Sequence, residues 1–431
     1  MKKLVVHPAK TLKGTLTIPG DKSISHRAVM MGSLAYGTTR IEHFLTSADC
    51  LSTIAIFRAL GVEIVQKGDR ITIRGKGLNS LRAPRAVLNA GNSGTTARIL
   101  MGLLAAQPFS SRMTGDKYLR RRPMKRVMVP LAQMGARIQG SGDGHQLPVK
   151  IEGAKLKGIT YELPMASAQV KSCLLLAGLF AEGKTRVLEP IATRDHTERM
   201  FRTFGIPHQR RRRSITLKGP IRPFQGKRIQ VPGDISSAAF FIVAGLIVPG
   251  SEVVLKNVGM NPTRTGLIDV LKKMGAHFQI HSHSVKGGEE PVADLTVRYS
   301  KLKAVRVGGA LVPRMVDEFP VFAVAATQAH GITVVRNAED LKVKESDRIL
   351  MMTATLRKMG AKIDPTHDGW VIQGPTPLTG TKISSGGDHR IAMSIAVAAL
   401  IAKGSTTILD TENIQTSFPG FEDSMKKITI R

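Results

Sequence analysis

Several short runs in this chain set basic side chains beside small or hydroxyl residues, the combination that recognises phosphate and carboxylate groups. In GDKSISHRA (20–28), Lys22, Ser23 and Arg27 fall at a predicted helix start, where unpaired backbone N–H groups and the positive dipole end favour an anion. Taken alone, that run is equally a capped helix with solvated charges. NAGNSGTTAR (89–98) places Asn92 and Gly94 in a small-residue turn before a second helix, and the glycine lets a ligand approach the backbone closely. It has neither the Lys-Ser/Thr ending of a nucleotide P-loop nor the GxGxxG of a dinucleotide fold. Downstream, Arg122 directly precedes Pro123, which predicts an extended loop where the guanidinium can fork onto an anion. MASAQVKS (165–172) supplies Ser167, Ala168 and Gln169 as a neutral segment suited to hydroxyls, and ATRDHTE (192–198) adds Arg194. His196, set among charges, reads as part of a capped helix start more than as a base.

The second half carries the carboxylates. VDEFP holds Asp317, LKVKESDRI holds Lys344, Glu345 and Arg348, and GGDHRIAM holds Asp388 and Arg390. Read as one helix, LKVKESDRI puts Lys344 and Arg348 one turn apart, facing a common anion, with Glu345 pointing in a neighbouring direction. Arg27, Arg98, Arg348 and Arg390 all fall in element starts or connections, as they would if several segments converged their cations on a cleft.

The elements that must position these residues repeat. RALGVEI at 58 recurs as AQMGARI at 132, RTFGIPH at 202, KKMGAHF at 272 and RKMGAKI at 357, with a worn version, SMKKITI, at 424. Each phrase closes an amphipathic helix at a glycine C-cap and leads into a β-rich stretch. The openings repeat as well, from IPGDKSISHRAVMMGSL at 18 to SSGGDHRIAMSIAVAAL at 384, giving six copies. Each reads as strand, apolar helix, strand, amphipathic helix and strand pair. Helices such as SCLLLAGLF are apolar nearly all round, so helices are expected inside and sheets outside. The copies divide three and three near residues 220–230, where KGPIRPFQGKR joins the third to the fourth. The expected lobes are therefore 21–228 and 1–20 plus 229–431, the first strand lying with the second lobe.

Composition narrows the function. A chain of 431 residues, 42% hydrophobic and 22% charged, is globular and multi-domain. It contains no run of 18 apolar residues, and its N-terminus has no signal-peptide pattern, so a cytoplasmic protein without membrane attachment is expected. The net charge of +31 invites a nucleic-acid reading, but aromatics are only 4%, and Arg120–Arg122 and Arg210–Arg213 lack interleaved stacking residues. A substrate carrying several negative charges fits better and uses part of that excess. Cys50 and Cys173 read as buried free thiols, and His281 and His283, on a strand running into a turn, have no ligand partners in the flanking sequence.

Together these runs resemble the 5-enolpyruvylshikimate-3-phosphate synthase family along the whole chain: GDKSISHRA, GNSGTTAR, RRPM, SAQVKS, RDHTE, VDEFP, LKVKESDR, GDHRIAM and SFPGF stand in that family's order. The resemblance implies an α/β fold of two similar lobes, each of three βαβαββ repeats with buried helices inside and sheets outside, an inside-out α/β barrel. It implies enolpyruvyl transfer from phosphoenolpyruvate to shikimate 3-phosphate by a monomer, with no metal, cofactor or nucleic acid, the lobes closing on the first substrate. By motif, shikimate 3-phosphate falls to Lys22, Ser23, Arg27, Ser167, Ala168, Gln169, Arg194, Asp317 and Lys344. Phosphoenolpyruvate falls to Lys22, Asn92, Gly94, Arg122, Gln169, Lys344, Arg348 and Arg390. Proton transfer falls to Asp317 as base and Glu345 as acid, with Lys22 sharing the work. Thr416 stands where many members carry a lysine, and Ser93 and Ile99 also depart from frequent choices. The open space at Gly94 favours glyphosate sensitivity. The sister family acting on UDP-N-acetylglucosamine usually carries a reactive loop cysteine, which the RRRPM loop lacks.

Overall fold

The computed structural model describes residues 2–283 and 290–431. These form two compact units, 2–19 with 232–283 and 291–431, and 20–231 with Glu290. The turn expected after His283 lies outside the described residues.

In the unit built on 20–231, the first copy contributes α1 (Lys22–Leu34) and α2 (Ala48–Ala59), the second α3 (Gly94–Leu104) and α4 (Lys125–Gln133), the third α5 (Ala168–Gly178) and α6 (His196–Phe204). In the other unit the corresponding pairs are α7 (Ile235–Ile247) and α8 (Gly266–Lys273), α9 (Phe319–Thr327) and α10 (Arg348–Lys358), and α11 (His389–Ala399) and α12 (Phe421–Ile428). The first helix of each pair is the apolar one. Every residue of α7, α9 and α11 is buried, as side chains apolar on all faces require. Each unit has its own hydrophobic core. Inner helices pack closely where a side chain is missing: a Cβ on Gly102 of α3 would lie 2.1 Å from the carbonyl oxygen of Cys173 on α5.

The helix ends follow the sequence pattern. Gly61, Gly135, Gly205, Gly275 and Gly360 all have φ between 72° and 97°, the left-handed turn that ends a helix at little cost only in glycine. The sixth phrase has no glycine, and α12 instead runs directly into the short strand Thr429–Ile430.

The sheets repeat one scheme: an opening strand parallel to the next, then an antiparallel hairpin. In the second copy the order is Leu88–Asn89, Ser110–Thr114, Gln146–Glu152, Arg137–Ser141. Thr11–Thr17, the strand before the first copy and expected with the second lobe, pairs in parallel with Glu252–Gly259 of the fourth. Conversely Arg228–Gln230, the expected opening of the fourth copy, pairs in parallel with Tyr36–Glu42 of the first. The two opening strands are exchanged, so each sheet is complete within its own unit. Lys3–Val6 pairs with Thr406–Leu409 and stands in for the hairpin that the sixth copy lacks. At the chain crossings, the backbone N–H of Asp234 donates to the carbonyl of Pro19 at 2.8 Å in one unit. In the other, a Cβ on Gly20 would overlap the carbonyl of His43, whose ring lies 2.9 Å from the carbonyl of Val231.

Both cysteines are buried and free. Burial pushes the Cys173 thiol up to about 12 and the Cys50 thiol also well above its ordinary value, so neither is a thiolate near neutrality. His283 has a partner that its flanking sequence does not show, the cross-strand Asp294 at 3.1 Å. Among the described residues no helix is long and apolar enough to cross a membrane.

Candidate active site

In the 20–231 unit the helix starts converge on polar side chains. Asp21 caps α1 by accepting from the N–H of Ile24 at 2.9 Å, which sets Lys22 and Ser23 in the first turn. Lys22 lies 3.2 Å from Asp49 of α2. One turn on, Arg27 is buried: its Nη1 donates to the Ser23 carbonyl at 3.0 Å, its Nη2 to Ser172 at 2.7 Å and its Nε to Thr197 at 2.8 Å, tying α1 to α5 and α6. Burial pulls this guanidinium down to about 10, opposed by Glu198 and Asp21 and reinforced by Arg194.

Ser93 caps α3, and the next residue is Gly94. A Cβ there would lie 2.8 Å from Nη1 of Arg98 and 3.4 Å from Nη1 of Arg122, so two guanidinium groups crowd this backbone. Arg122 is extended, as its place before proline predicts (φ −79°, ψ 137°), and donates to Oδ1 of Asn92 at 2.9 Å. Arg98 donates to Oε1 of Gln169 at 2.9 Å, and the amide of Gln169 donates to Thr95 at 3.1 Å. Ser167 caps α5 and Ala168 is its first residue. Arg194 immediately precedes Asp195, the residue before α6.

The other unit gathers carboxylates around one cation. Sequence spacing expects Lys344 and Arg348 on one helix, but a 3-10 turn, Glu339–Val343, ends before Lys344. Asp347 then caps α10 by accepting from the N–H of Leu350 at 3.1 Å, and Arg348 is its first residue. Lys344 pairs with Asp340. The two cations thus belong to different elements, because an Asp before an apolar run starts a helix more readily than it continues one.

Arg348, 1% exposed, lies 2.9 Å from Asp388, 2.7 Å from Glu345 and 3.7 Å from Asp317. Burial acts to lower its pKa, but Asp388, Glu345 and Asp317 outweigh that and hold it above the ordinary value. Glu345, three residues before Arg348, pairs with it. Asp388 caps α11 by accepting from the N–H of Arg390 at 2.8 Å. Arg390 in turn donates to the Ser236 carbonyl at 3.2 Å. Thr416 closes a 3-10 turn, donating to the Asn413 carbonyl at 2.6 Å.

Sequence reasoning missed a layer of buried polar residues behind these groups. His26, one residue before Arg27, meets Thr53 at 2.7 Å through Nδ1 and Ser93 at 3.5 Å through Nε2. Burial, with Lys22 and Arg27 nearby, lowers its pKa well below 6.5. The folded protein therefore keeps His26 neutral where the unfolded chain takes up a proton. Stability is complete above about pH 6.5 and falls below it, by at most about 1.4 kcal/mol per pH unit from this group. Thermal melts between pH 7 and 5 should show a shallower decline for His26→Asn than for wild type, and equal slopes would contradict this.

His196 is buried and paired at 2.7 Å with Glu290, which packs with this unit. Burial raises the Glu290 pKa, but His196 and Arg199 outweigh it and hold the carboxyl below its usual range. His196 thus sits within an ion-pair cluster. Glu339, His367 and Asp368 bring their ligand atoms within 4.8 Å of one another, but Asp368 already accepts from the N–H of Asn337 at 2.7 Å.

With this geometry in view, the comparisons agree. Residues 6–425 match the family model of EPSP synthase (3-phosphoshikimate 1-carboxyvinyltransferase). A 3-phosphoshikimate 1-carboxyvinyltransferase from Brevibacillus brevis is 54% identical over 99% of this chain and 100% of its own length. One from Bacillus thuringiensis is 53% identical over the full length of both. An EPSP synthase structure from Acinetobacter baumannii superposes with a TM-score of 0.89 at 47% identity, covering 100% of this chain and 99% of the other. The α/β architecture is therefore that of relatives matched end to end, and the chain belongs to the EPSP synthase family.

Proposed function

We propose that this chain transfers the enolpyruvyl group of phosphoenolpyruvate to the 5-hydroxyl of shikimate 3-phosphate, releasing phosphate through a tetrahedral intermediate, a step towards chorismate and the aromatic amino acids. The observation that carries the residue assignment is the Arg348 cluster. Addition followed by elimination needs one group to take the hydroxyl proton and another to protonate C3 and later remove a proton from it. Asp317 and Glu345 flank a single buried guanidinium, and each keeps about a fifth of its side chain exposed. That supports Asp317 as the base and Glu345 as the acid, with Lys22 sharing proton transfer.

In this reading the 21–228 half mainly holds shikimate 3-phosphate through Lys22, Ser23, Arg27, Ser167, Ala168, Gln169 and Arg194, with Asp317 and Lys344 from the other half. Phosphoenolpyruvate is held by Lys22, Asn92, Gly94, Arg122, Gln169, Lys344, Arg348 and Arg390. The cations offset repulsion between two anionic substrates, and charge stabilisation by preorganised groups contributes most to the rate. The enzyme works as a cytoplasmic monomer without metal or cofactor.

Phosphate release from phosphoenolpyruvate, measured with and without shikimate 3-phosphate, tests the reading. Release that depends on both substrates supports it, and no release at any concentration of either overturns it. The crowding at Gly94 gives a more local expectation. Gly94→Ala should push Arg98 and Arg122 outward and raise KM for phosphoenolpyruvate about 10-fold, leaving shikimate 3-phosphate affinity within about 3-fold. The same displacement should weaken glyphosate inhibition, read as the inhibitor concentration that halves the rate.

A further inference from the structure

Lys171 is a buried cation outside the assigned site. Lys171, two residues beyond Gln169 on α5, has no exposed side-chain surface, and its Nζ lies 2.8 Å from Glu198 and 3.1 Å from Glu189, both equally buried. The same oxygen of Glu189 accepts from the N–H of Thr193 at 3.1 Å and from the Thr193 hydroxyl. Glu198 is in the first turn of α6, adjacent to Thr197, which accepts from Nε of Arg27. Arg210, a quarter exposed, reaches Glu198 at 3.4 Å. The two carboxylates therefore mark the ends of a ten-residue segment, 189–198, that contains Arg194 and supports Arg27.

Burying three charges costs several kcal/mol each before their attraction repays it, and an apolar residue would suit the apolar interior of α5 better. A buried ionic cluster does what apolar packing cannot: it accepts one arrangement and penalises the others. We propose that Lys171 is a positioning residue for shikimate 3-phosphate, pinning segment 189–198 to α5 so that Arg194 and, through Thr197, Arg27 are held in place for that substrate. This rests on the assignment of those two arginines made above.

The test is Lys171→Met, with shikimate 3-phosphate binding measured by calorimetry and KM for phosphoenolpyruvate measured at saturating shikimate 3-phosphate. Positioning predicts a Kd for shikimate 3-phosphate raised about 10- to 100-fold, with KM for phosphoenolpyruvate within about 3-fold. Unchanged Kd, or equal loss for both substrates, overturns it in favour of a general structural role. Should the variant fail to fold, Lys171→Met with Glu198→Gln removes one unmatched charge while leaving the bridge absent, and the same split is read there. A folded double variant with wild-type affinity also overturns the proposal. If the wild-type protein itself binds no shikimate 3-phosphate, the assignment of Arg27 and Arg194 fails first, which is distinguishable because no variant is then involved.

Discussion

Asp317→Asn should lower kcat by about 10²- to 10⁴-fold while shikimate 3-phosphate binding stays within about 10-fold, because the amide keeps the side chain's size but cannot take a proton. Glu345→Gln should lower kcat by a similar factor. The two differ in isotope behaviour. With Glu345 serving C3, exchange of solvent deuterium into the methylene of phosphoenolpyruvate should collapse in Glu345→Gln. It should persist more strongly in Asp317→Asn, whose proton comes from the hydroxyl. Rapid-quench kinetics with mass analysis of recovered phosphoenolpyruvate separates these, and full activity in either variant refutes that residue's role.

The second large effect is expected at Arg348. Arg348→Met removes the guanidinium shared by the fully buried Asp388, Glu345 and Asp317. Removing one partner of a buried ion pair costs about 3–5 kcal/mol, because the buried charge left behind loses its compensating cation. The unit should melt about 10 °C lower. Adding Asp388→Asn should recover part of that stability by removing the most buried carboxylate, although α11 loses its charged cap. Activity should not recover, since Asp317 and Glu345 still lack the Arg348 guanidinium. Calorimetry on both variants beside the phosphate-release assay tells the two effects apart, and recovery of stability and rate together would mean that Arg348 serves folding alone.

Much of the architecture is legible because it is written six times. The apolar helices, the glycine helix ends and the loop order are local patterns, and repetition makes each copy evidence for the others. The opening strands are different. TLTIPGD and RIQVPGD look alike, and nothing within either phrase says which sheet it joins, since that depends on partners more than 180 residues away. The Lys344–Arg348 spacing misleads for a local reason: five polar residues suit a helix, and only the cap potential of Asp347 before RILMM marks the break. Lys171 left a faint signal, a single lysine entering an otherwise apolar helix, where a buried charge requires partners. Its partners, Glu189 and Glu198, are 18 and 27 residues away, and spacing alone does not bring them together. His283 and Asp294 likewise meet only through strand register.

The exchange of opening strands has a consequence for how the chain can be cut. Residues 20–231 carry every strand of their own sheets, including Arg228–Gln230, and their ends meet beside His43. On the other side, Pro19 and Asp234 are already hydrogen-bonded neighbours. The three-copy segment is therefore one continuous insertion in the sequence of the other unit. It can be lifted out as one continuous piece, and Pro19 can be spliced to Pro232 across a gap that the backbone has already closed.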